Sequence, residues 1–169
     1  MDVLEAIRGR RSIRKYKGEP IPEGLVEDIL AAGMSAPSAG NEQPWHFVII
    51  TDKALLDKVP EIHPYAAMAA QAPLAVLVCG DLNAEVYAGF WVQDCSAAVQ
   101  NVLLAAHGLG LGAVWCGIYP VKERVKGFRK LFDLPVHVVP LALIPMGYPA
   151  EQLAPADRFD EGRVHHDRW

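Results

Sequence analysis

The sequence predicts one globular domain that contains both helices and strands. Its 169 residues are about the length of one domain and are enough to bury a core. Hydrophobic residues make up 51% of the chain and charged residues 21%, a balance typical of folded proteins. Helical periodicity alternates along the chain with β-branched runs, and no repeat or flexible linker divides it. We therefore expect residues 1–169 to form a single domain of mixed α and β structure.

Periodicity and end signals predict the elements of the first half of the chain. Helix 21–37 has Pro22 in its first turn, where proline fits, and Gly33 and Pro37 at its end. The run 74–81 is continuously apolar, so we expect a strand buried on both faces. In chain order the predicted elements are helices over 2–8 and 21–37, a strand over 46–52, short helices over 53–59 and 64–72, and the strand over 74–81.

The second half contains the longest predicted element, a helix over 90–110. Its polar residues fall within one sector of a helical wheel, so most of its circumference should be buried. The glycines of GLGLG at 108–112 follow this helix and precede a strand, the reverse of a nucleotide-binding loop, so they predict a helix cap and a tight turn. The elements that follow are a strand over 113–120, a helix over 121–135 and a strand over 136–148. The polar segment 150–169 is typical of an arm that docks on another surface, such as a second subunit.

Several classes of protein are disfavoured by what the sequence lacks. No signal peptide is recognisable, and the two longest stretches without Asp, Glu, Lys or Arg are interrupted by prolines or by polar residues and glycines, so no membrane span is expected. The six histidines are not paired at metal-binding spacings, and no metal site is predicted. Three cysteines without a CxxC spacing favour a reducing compartment, and we expect a cytoplasmic protein.

The stretch RGRRSIRKYK at 8–17 concentrates positive charge in an acidic chain. It holds six basic side chains, whereas the net charge of the whole chain is −4, so the remaining residues sum to −10. This distribution disfavours a general nucleic-acid partner and favours a small bound anion. Arginine forks bind phosphate bidentately and a serine hydroxyl can add a donor. The alternative is a solvated charged turn, which suits Lys15 and Lys17.

The stretch APSAGNEQPWHF at 36–47 predicts a rigid connection between a helix and a strand. Pro37, Gly40 and Pro44 restrict the backbone. Ser38, Asn41 and Gln43 would then present short polar groups from a stiff loop, an arrangement that suits a planar heterocycle. The alternative is a simple connection with no ligand.

Three segments, RRSIRKY, APSAGNEQPWHF and QNVLLAAHGLGLGAVWCGIYP, resemble in sequence and order the nitroreductase-like family of flavoproteins. The resemblance covers essentially the whole chain. It implies an α+β sandwich with a mainly antiparallel sheet flanked by helices, and an intertwined homodimer with FMN sites at the subunit interface. The helix near 91–107 would form much of that interface.

The resemblance also implies the FMN-binding positions, residue by residue. The FMN phosphate would be held by Arg10, Arg11, Ser12 and Arg14 together with Arg158. In the family, a loop from the other subunit approaches the isoalloxazine ring, and Pro37, Ser38, Ala39 and Asn41 match it. The backbone near flavin N5 is matched by Cys116 and Gly117, although some members have an acidic residue in place of Cys116.

The implied activity is hydride transfer from NAD(P)H through flavin N5 to nitroaromatic, quinone or similar acceptors by a ping-pong mechanism. No protein side chain is needed as acid or base, because the flavin supplies the chemistry. Alternatives are a relative that uses flavin for reductive dehalogenation or flavin breakdown, and a non-catalytic flavin sensor or store.

Overall fold

The computed structural model describes residues 2–169, which contain six α-helices and five strands. The helices are Val3–Gly9 (α1), Glu23–Met34 (α2), Lys53–Leu56 (α3), Val59–Ile62 (α4), Trp91–Gly108 (α5) and Lys122–Leu131 (α6). The strands are Trp45–Ile50 (β1), Leu74–Asp81 (β2), Gly112–Ala113 (β3), Cys116–Gly117 (β4) and Val138–Gly147 (β5). Short 3₁₀ segments occur at Ala39–Asn41, Pro64–Gln71 and Glu161–Arg163.

The five strands form one antiparallel sheet. Its order is β1-β2-β5-β3, and β4 also pairs with β5. Every strand pair is antiparallel, with Trp45 opposite Gly80 and Leu74 opposite Met146. The central strand β2 is buried along almost its whole length, as its apolar run predicted.

Helices cover both faces of the sheet. Successive side chains of β2 point to opposite faces, so Val76 and Val78 pack with α2 and α5, whereas Leu77 and Cys79 pack with α3, α4 and α6. The structure therefore has two apolar layers separated by the sheet. This confirms the predicted α+β class and the antiparallel sheet flanked by helices.

The sequence predicted one continuous strand over 113–120, which is wrong, because the structure has two short strands there, β3 and β4. The register of β3 and β4 against β5 is the same, which places the intervening Val114 opposite Pro145. Val114 N–H donates to Pro145 O at 3.3 Å, but proline has no N–H to return the bond, so the ladder is interrupted there.

The predicted helix over 64–72 is a 3₁₀ segment, kinked at Ala66, since a short stretch confined by Pro64 and Pro73 has no room for regular α-helical turns.

The glycines after α5 form the helix cap that was predicted. Gly110 has a φ of +81°, its N–H donates to His107 O at 3.1 Å, and Leu111 N–H donates to Ala106 O at 2.8 Å. These two bonds form a Schellman motif, which satisfies the last carbonyls of the helix. No helix among residues 2–169 is long and apolar enough to cross a membrane.

Candidate functional site

The basic segment runs along the edge of the sheet. Ile13 N–H donates to Ala113 O at 3.1 Å, Ser12 forms a bridge with Ala113, and the Ile13 side chain is buried against Gly112. Successive side chains of an extended segment point to opposite sides, so Ser12 and Arg14 point away from the buried Ile13. A short strand-like pairing therefore fixes the direction of these side chains.

Arg10, Arg11 and Arg158, together called the arginine cluster, meet beside the C-terminal half of α5. They line a cavity of about 860 Å³ with Arg8, Gln100 and the segment 155–159. None of these four arginines forms an ion pair with a carboxylate of residues 2–169, although Asp157 also lines the cavity. Burial, followed by the positive charges of Arg158 and Arg11, lowers the pKa of Arg10. The cavity thus concentrates positive charge that no ion pair among residues 2–169 compensates.

Two nitrogen donors of the cluster are buried without an acceptor. Arg10 Nε and Arg11 Nη2 have no hydrogen-bond partner. The remaining Arg11 nitrogens are used within the chain, because Nε donates to Ala154 O at 2.9 Å and Nη1 donates to Arg8 O and Arg10 O at 2.8 and 2.6 Å. Arg11 therefore also ties the C-terminal segment to the basic segment. Buried donors without partners are uncommon and point to a missing acceptor.

Arg14 lies outside this cavity. Its side chain is exposed, its Nη1 donates to Ser12 O at 3.3 Å, and its backbone N–H donates to Glu151 Oε1 at 2.6 Å.

His107, which the sequence did not single out, lies beside the cluster instead. Burial, with the charges of Arg10 and Arg11, lowers the pKa of His107. Nothing local in the sequence signals this position, because the contact depends on how α5 packs on the basic segment.

The loop of residues 38–43, called the rigid loop, is held by hydrogen bonds to its own neighbours. Ala39 N–H donates to Asp94 Oδ1 at 3.0 Å, and Gln43 N–H donates to Ser38 Oγ at 3.0 Å. Gln43 Nε2 donates to Asn41 Oδ1 at 2.9 Å. Pro37 precedes the loop and is exposed. The polar groups that the sequence placed here are thus fixed by contacts within the chain.

Backbone conformation makes the rigid loop costly to form without these contacts. Gly40, Asn41 and Gln43 have φ values of +53°, +57° and +47°. Left-handed φ is unfavourable for residues other than glycine, although asparagine tolerates it better than most. A Cβ atom on Gly40 would also lie 2.5 Å from Tyr87 Cε2. The loop therefore has little freedom to adopt another shape.

The arginine cluster and the rigid loop lie at opposite ends of α5. The loop contacts Asp94 in the first turn of the helix, whereas the cluster lies beside His107 in the last turn. Thirteen residues of α-helix correspond to about 20 Å along the axis. One chain therefore does not bring the two groups to the same point.

Cys116 and Gly117 form β4, which pairs with Leu143 and Ala142 of β5. The Gly117 carbonyl accepts from Arg124 Nη1 at 2.9 Å and lies 2.9 Å from His63 Nε2. Cys116 is buried with its sulfur 3.8 Å from that of Met68, and burial raises the pKa of its thiol to about 11. The Cys116 side chain thus belongs to the apolar layer, and no group of three metal-ligating side chains occurs in residues 2–169.

Comparisons with known proteins give one consistent result. The model of the nitroreductase family matches residues 7–66 and 62–148. A Methanothermobacter thermautotrophicus protein provisionally named NADH dehydrogenase/NAD(P)H nitroreductase is 56% identical over 169 residues, which are 100% of this chain and 88% of that protein. An oxygen-insensitive NADPH nitroreductase of Salmonella typhimurium is 31% identical, with 97% of this chain and 72% of that protein covered. A provisionally assigned nitroreductase of Desulfovibrio desulfuricans, solved in complex with FMN, has a TM-score of 0.85 and 34% identity, with 100% and 98% covered.

Proposed function

The chain belongs to the nitroreductase family, and on that premise we propose that it is an FMN-dependent oxidoreductase using NADH or NADPH. Its acceptors would be nitroaromatics, quinones or similar compounds. The observation that carries the proposal is the arginine cluster, with its uncompensated charge and its two buried donors without acceptors. A phosphate dianion offers both the charge and the acceptor oxygens that are missing.

The residues at the cluster fit the FMN phosphate. Arg10 and Arg158 would carry most of the charge, and Arg11 would contribute its free Nη2. Ser12, which follows Arg11 but does not line the cavity, would add a hydroxyl. Charge-assisted hydrogen bonds contribute roughly 1.5–3 kcal/mol each, so three or four would anchor a dianion. Arg14, which lies outside the cavity, would assist through the field of its charge.

A bound FMN would supply the hydride transfer from the reduced nicotinamide to the acceptor, through its N5 and by a ping-pong mechanism. The protein would contribute position and shape. The rigid loop would face the flavin ring through Ser38, Ala39 and Asn41, together with Pro37 before it. The backbone of Cys116 and Gly117 would lie near the reactive edge of the ring. Arg124 and His63, which contact the Gly117 carbonyl, would keep that backbone in place. A fixed site of this kind lowers the entropic cost of bringing the reactants together.

We further propose that the active form is a homodimer. Asp94, which holds the rigid loop, and His107, which lies beside the arginine cluster, are about 20 Å apart along α5, so the rigid loop of a second chain would complete the site. Helix α1 has no buried residue, and Val3, Leu4 and Ile7 are 72%, 57% and 49% exposed on it. The exposed segment 150–169 would be the arm that packs on the partner. The three free cysteines suit the reducing, cytoplasmic compartment that we also propose.

The test is the visible absorption spectrum of the purified protein, incubated with FMN and then mixed anaerobically with NADH or NADPH. We expect a flavin band that remains after gel filtration and bleaches with at least one of the two nicotinamides. Tight binding with negligible bleaching would instead support a flavin sensor or store. Failure to bind FMN would remove the proposal, and turnover with each acceptor class would separate nitro or quinone reduction from dehalogenation or flavin breakdown.

A further inference from the structure

We propose that Asp94 and Glu42 share one proton, and that this proton holds the rigid loop in the position from which it meets the flavin. The first part stands on the contacts of this chain alone. The second part rests on the proposed function, because only a bound flavin gives the loop something to meet. Asp94 is thus assigned as a positioning residue.

Each carboxyl group has one oxygen in use and one buried without a partner. Asp94 is only 5% exposed; its Oδ1 accepts from Ala39 N–H, while Oδ2 has no donor. Glu42 Oε2 accepts from the backbone N–H groups of Val86 and Tyr87 at 2.6 and 3.1 Å, while the buried Oε1 has no donor. Each of the two carboxyl groups therefore has one buried oxygen that lacks a hydrogen-bond donor.

The bond from Ala39 N–H to Asp94 Oδ1 places the Asp94 carboxyl against the loop that carries Glu42, and the negative charge of Glu42 acts on the pKa of Asp94. Two carboxylates have no proton to donate, so a bond between them forms only when one of them is protonated. The other charged group that acts on Asp94 is Glu85, which is also acidic, and none of the ion pairs among residues 2–169 involves Asp94, Glu42 or Glu85. Without a shared proton, like charges would meet at a site with little solvent.

The surroundings place the proton on Asp94. Burial is the largest cause that raises the pKa of Asp94, and the negative charges of Glu42 and Glu85 add to it against the bond from Ala39. Burial also acts to raise the pKa of Glu42, but the amides of Val86 and Tyr87 outweigh it and the result lies below the usual value. Asp94 Oδ2–H therefore donates to Glu42 Oε1, and the pair titrates as a unit.

This bond joins three segments that are distant in the sequence. Asp94 belongs to α5 and holds Ala39, while Glu42 belongs to the rigid loop and holds the amides of 86 and 87. The loop between them contains the left-handed residues Gly40 and Asn41, which need external contacts to stay in place. Loss of the proton would set Asp94 against Glu42 and release the loop.

The proposal predicts how stability changes with pH. The folded state keeps the Asp94 proton to a higher pH than the unfolded state, whose reference pKa is 3.8, so the contribution of Asp94 to stability is lost as pH rises through its raised pKa. Asp94→Asn keeps Oδ1 and supplies a permanent N–H to Glu42. We therefore expect the urea midpoint of the wild type to fall as pH rises above 3.8 and through the raised pKa of Asp94. The urea midpoint of Asp94→Asn should change much less over the same pH range.

Two further variants make the comparison decisive. Glu42→Gln removes the facing charge and should reduce the same pH dependence, whereas Glu123→Gln, an exposed carboxyl on α6, should leave it unchanged. Infrared difference spectra recorded as pH rises above 3.8 should show a protonated carboxyl that persists in the wild type and is missing from Asp94→Asn. Identical pH profiles in wild type and Asp94→Asn, or no protonated carboxyl, would overturn the shared proton.

The role of the proton in loop position has its own readout. We expect FMN to dissociate several-fold faster from the wild type as pH rises through the same range, with a smaller change in Asp94→Asn. Equal pH dependence in both proteins would overturn the positioning role even if the proton is shared. If the chain binds no FMN, the proposed function fails, while the unfolding and infrared measurements still decide the shared proton.

Discussion

The two ends of α5 differ in how completely the chain satisfies its own polar groups. At the rigid loop, amides and side chains are paired with groups of the same chain, and the two buried oxygens without a partner belong to the carboxyl groups of Asp94 and Glu42. At the arginine cluster, three guanidinium groups meet without an ion pair to a carboxylate of residues 2–169, and two buried donors remain unpaired. The loop is therefore held in its conformation by the chain itself, whereas the arginine cluster leaves donors and positive charge that an anion would satisfy.

This difference has a thermodynamic consequence. Like charges held together destabilise the folded chain, and a ligand that neutralises them and binds only the folded state stabilises it by mass action. FMN should therefore raise the stability of the protein chiefly through the arginine end. The loop end would contribute geometry and would change little on binding.

The largest expected effect comes from removing the phosphate donors. Arg10→Ala together with Ser12→Ala deletes two hydrogen-bonding groups, which corresponds to about 3–6 kcal/mol and a loss of FMN affinity of more than about 100-fold. FMN fluorescence quenching would measure it. The matched control is Lys15→Ala with Lys17→Ala, which removes two charges from exposed positions of the same segment and should have a much smaller effect. Equal losses in both pairs would mean that the segment acts through its overall charge.

At the other end of α5, the expected effect is on stability. Gly40→Ala forces alanine into a φ of +53° and places Cβ against the Tyr87 ring, so we expect a loss of about 1–3 kcal/mol in the free energy of unfolding. Urea denaturation measures it.

Gly24→Ala is the matched control for this substitution. Gly24 lies in α2, and no atom would lie within 4 Å of its Cβ. Alanine there should be neutral or stabilise by up to about 1 kcal/mol. If Gly40→Ala behaved like Gly24→Ala, the rigid loop would be freer than its contacts indicate.

Local patterns in the sequence predicted most of the fold, because helix periodicity and apolar strands are local properties. The strand at 74–81 and the cap at Gly110 are clear cases. The break between β3 and β4 was missed because it depends on Pro145, which faces Val114 only after the sheet has formed. An interruption caused by a partner strand leaves no mark on the strand that is interrupted.

The site shows the same division between local and distant information. Arg10, Arg11 and Ser12 were found because they are adjacent in the chain, and Arg158 only through the family resemblance. Periodicity places Asp94 in the polar sector of α5, yet the structure buries it against Ala39. Its role depends on a loop more than fifty residues away, and no pattern within the helix reveals that contact.

The smallest expected effect concerns Cys116, which lies in β4. Burial raises the pKa of the Cys116 thiol to about 11 and that of Cys79 to about 12, and also raises that of Cys95, while the charges of Arg14 and Arg124 partly offset burial at Cys116. Since the thiolate is the reactive form, no thiol should react readily with a disulfide reagent in the folded protein near neutral pH, and all three should react after unfolding. As pH is raised, Cys116 should react first.

Cys116→Ser should bind FMN within about threefold of the wild type, since only the backbone of β4 would face the flavin; a larger loss would show that the side chain contributes to the site.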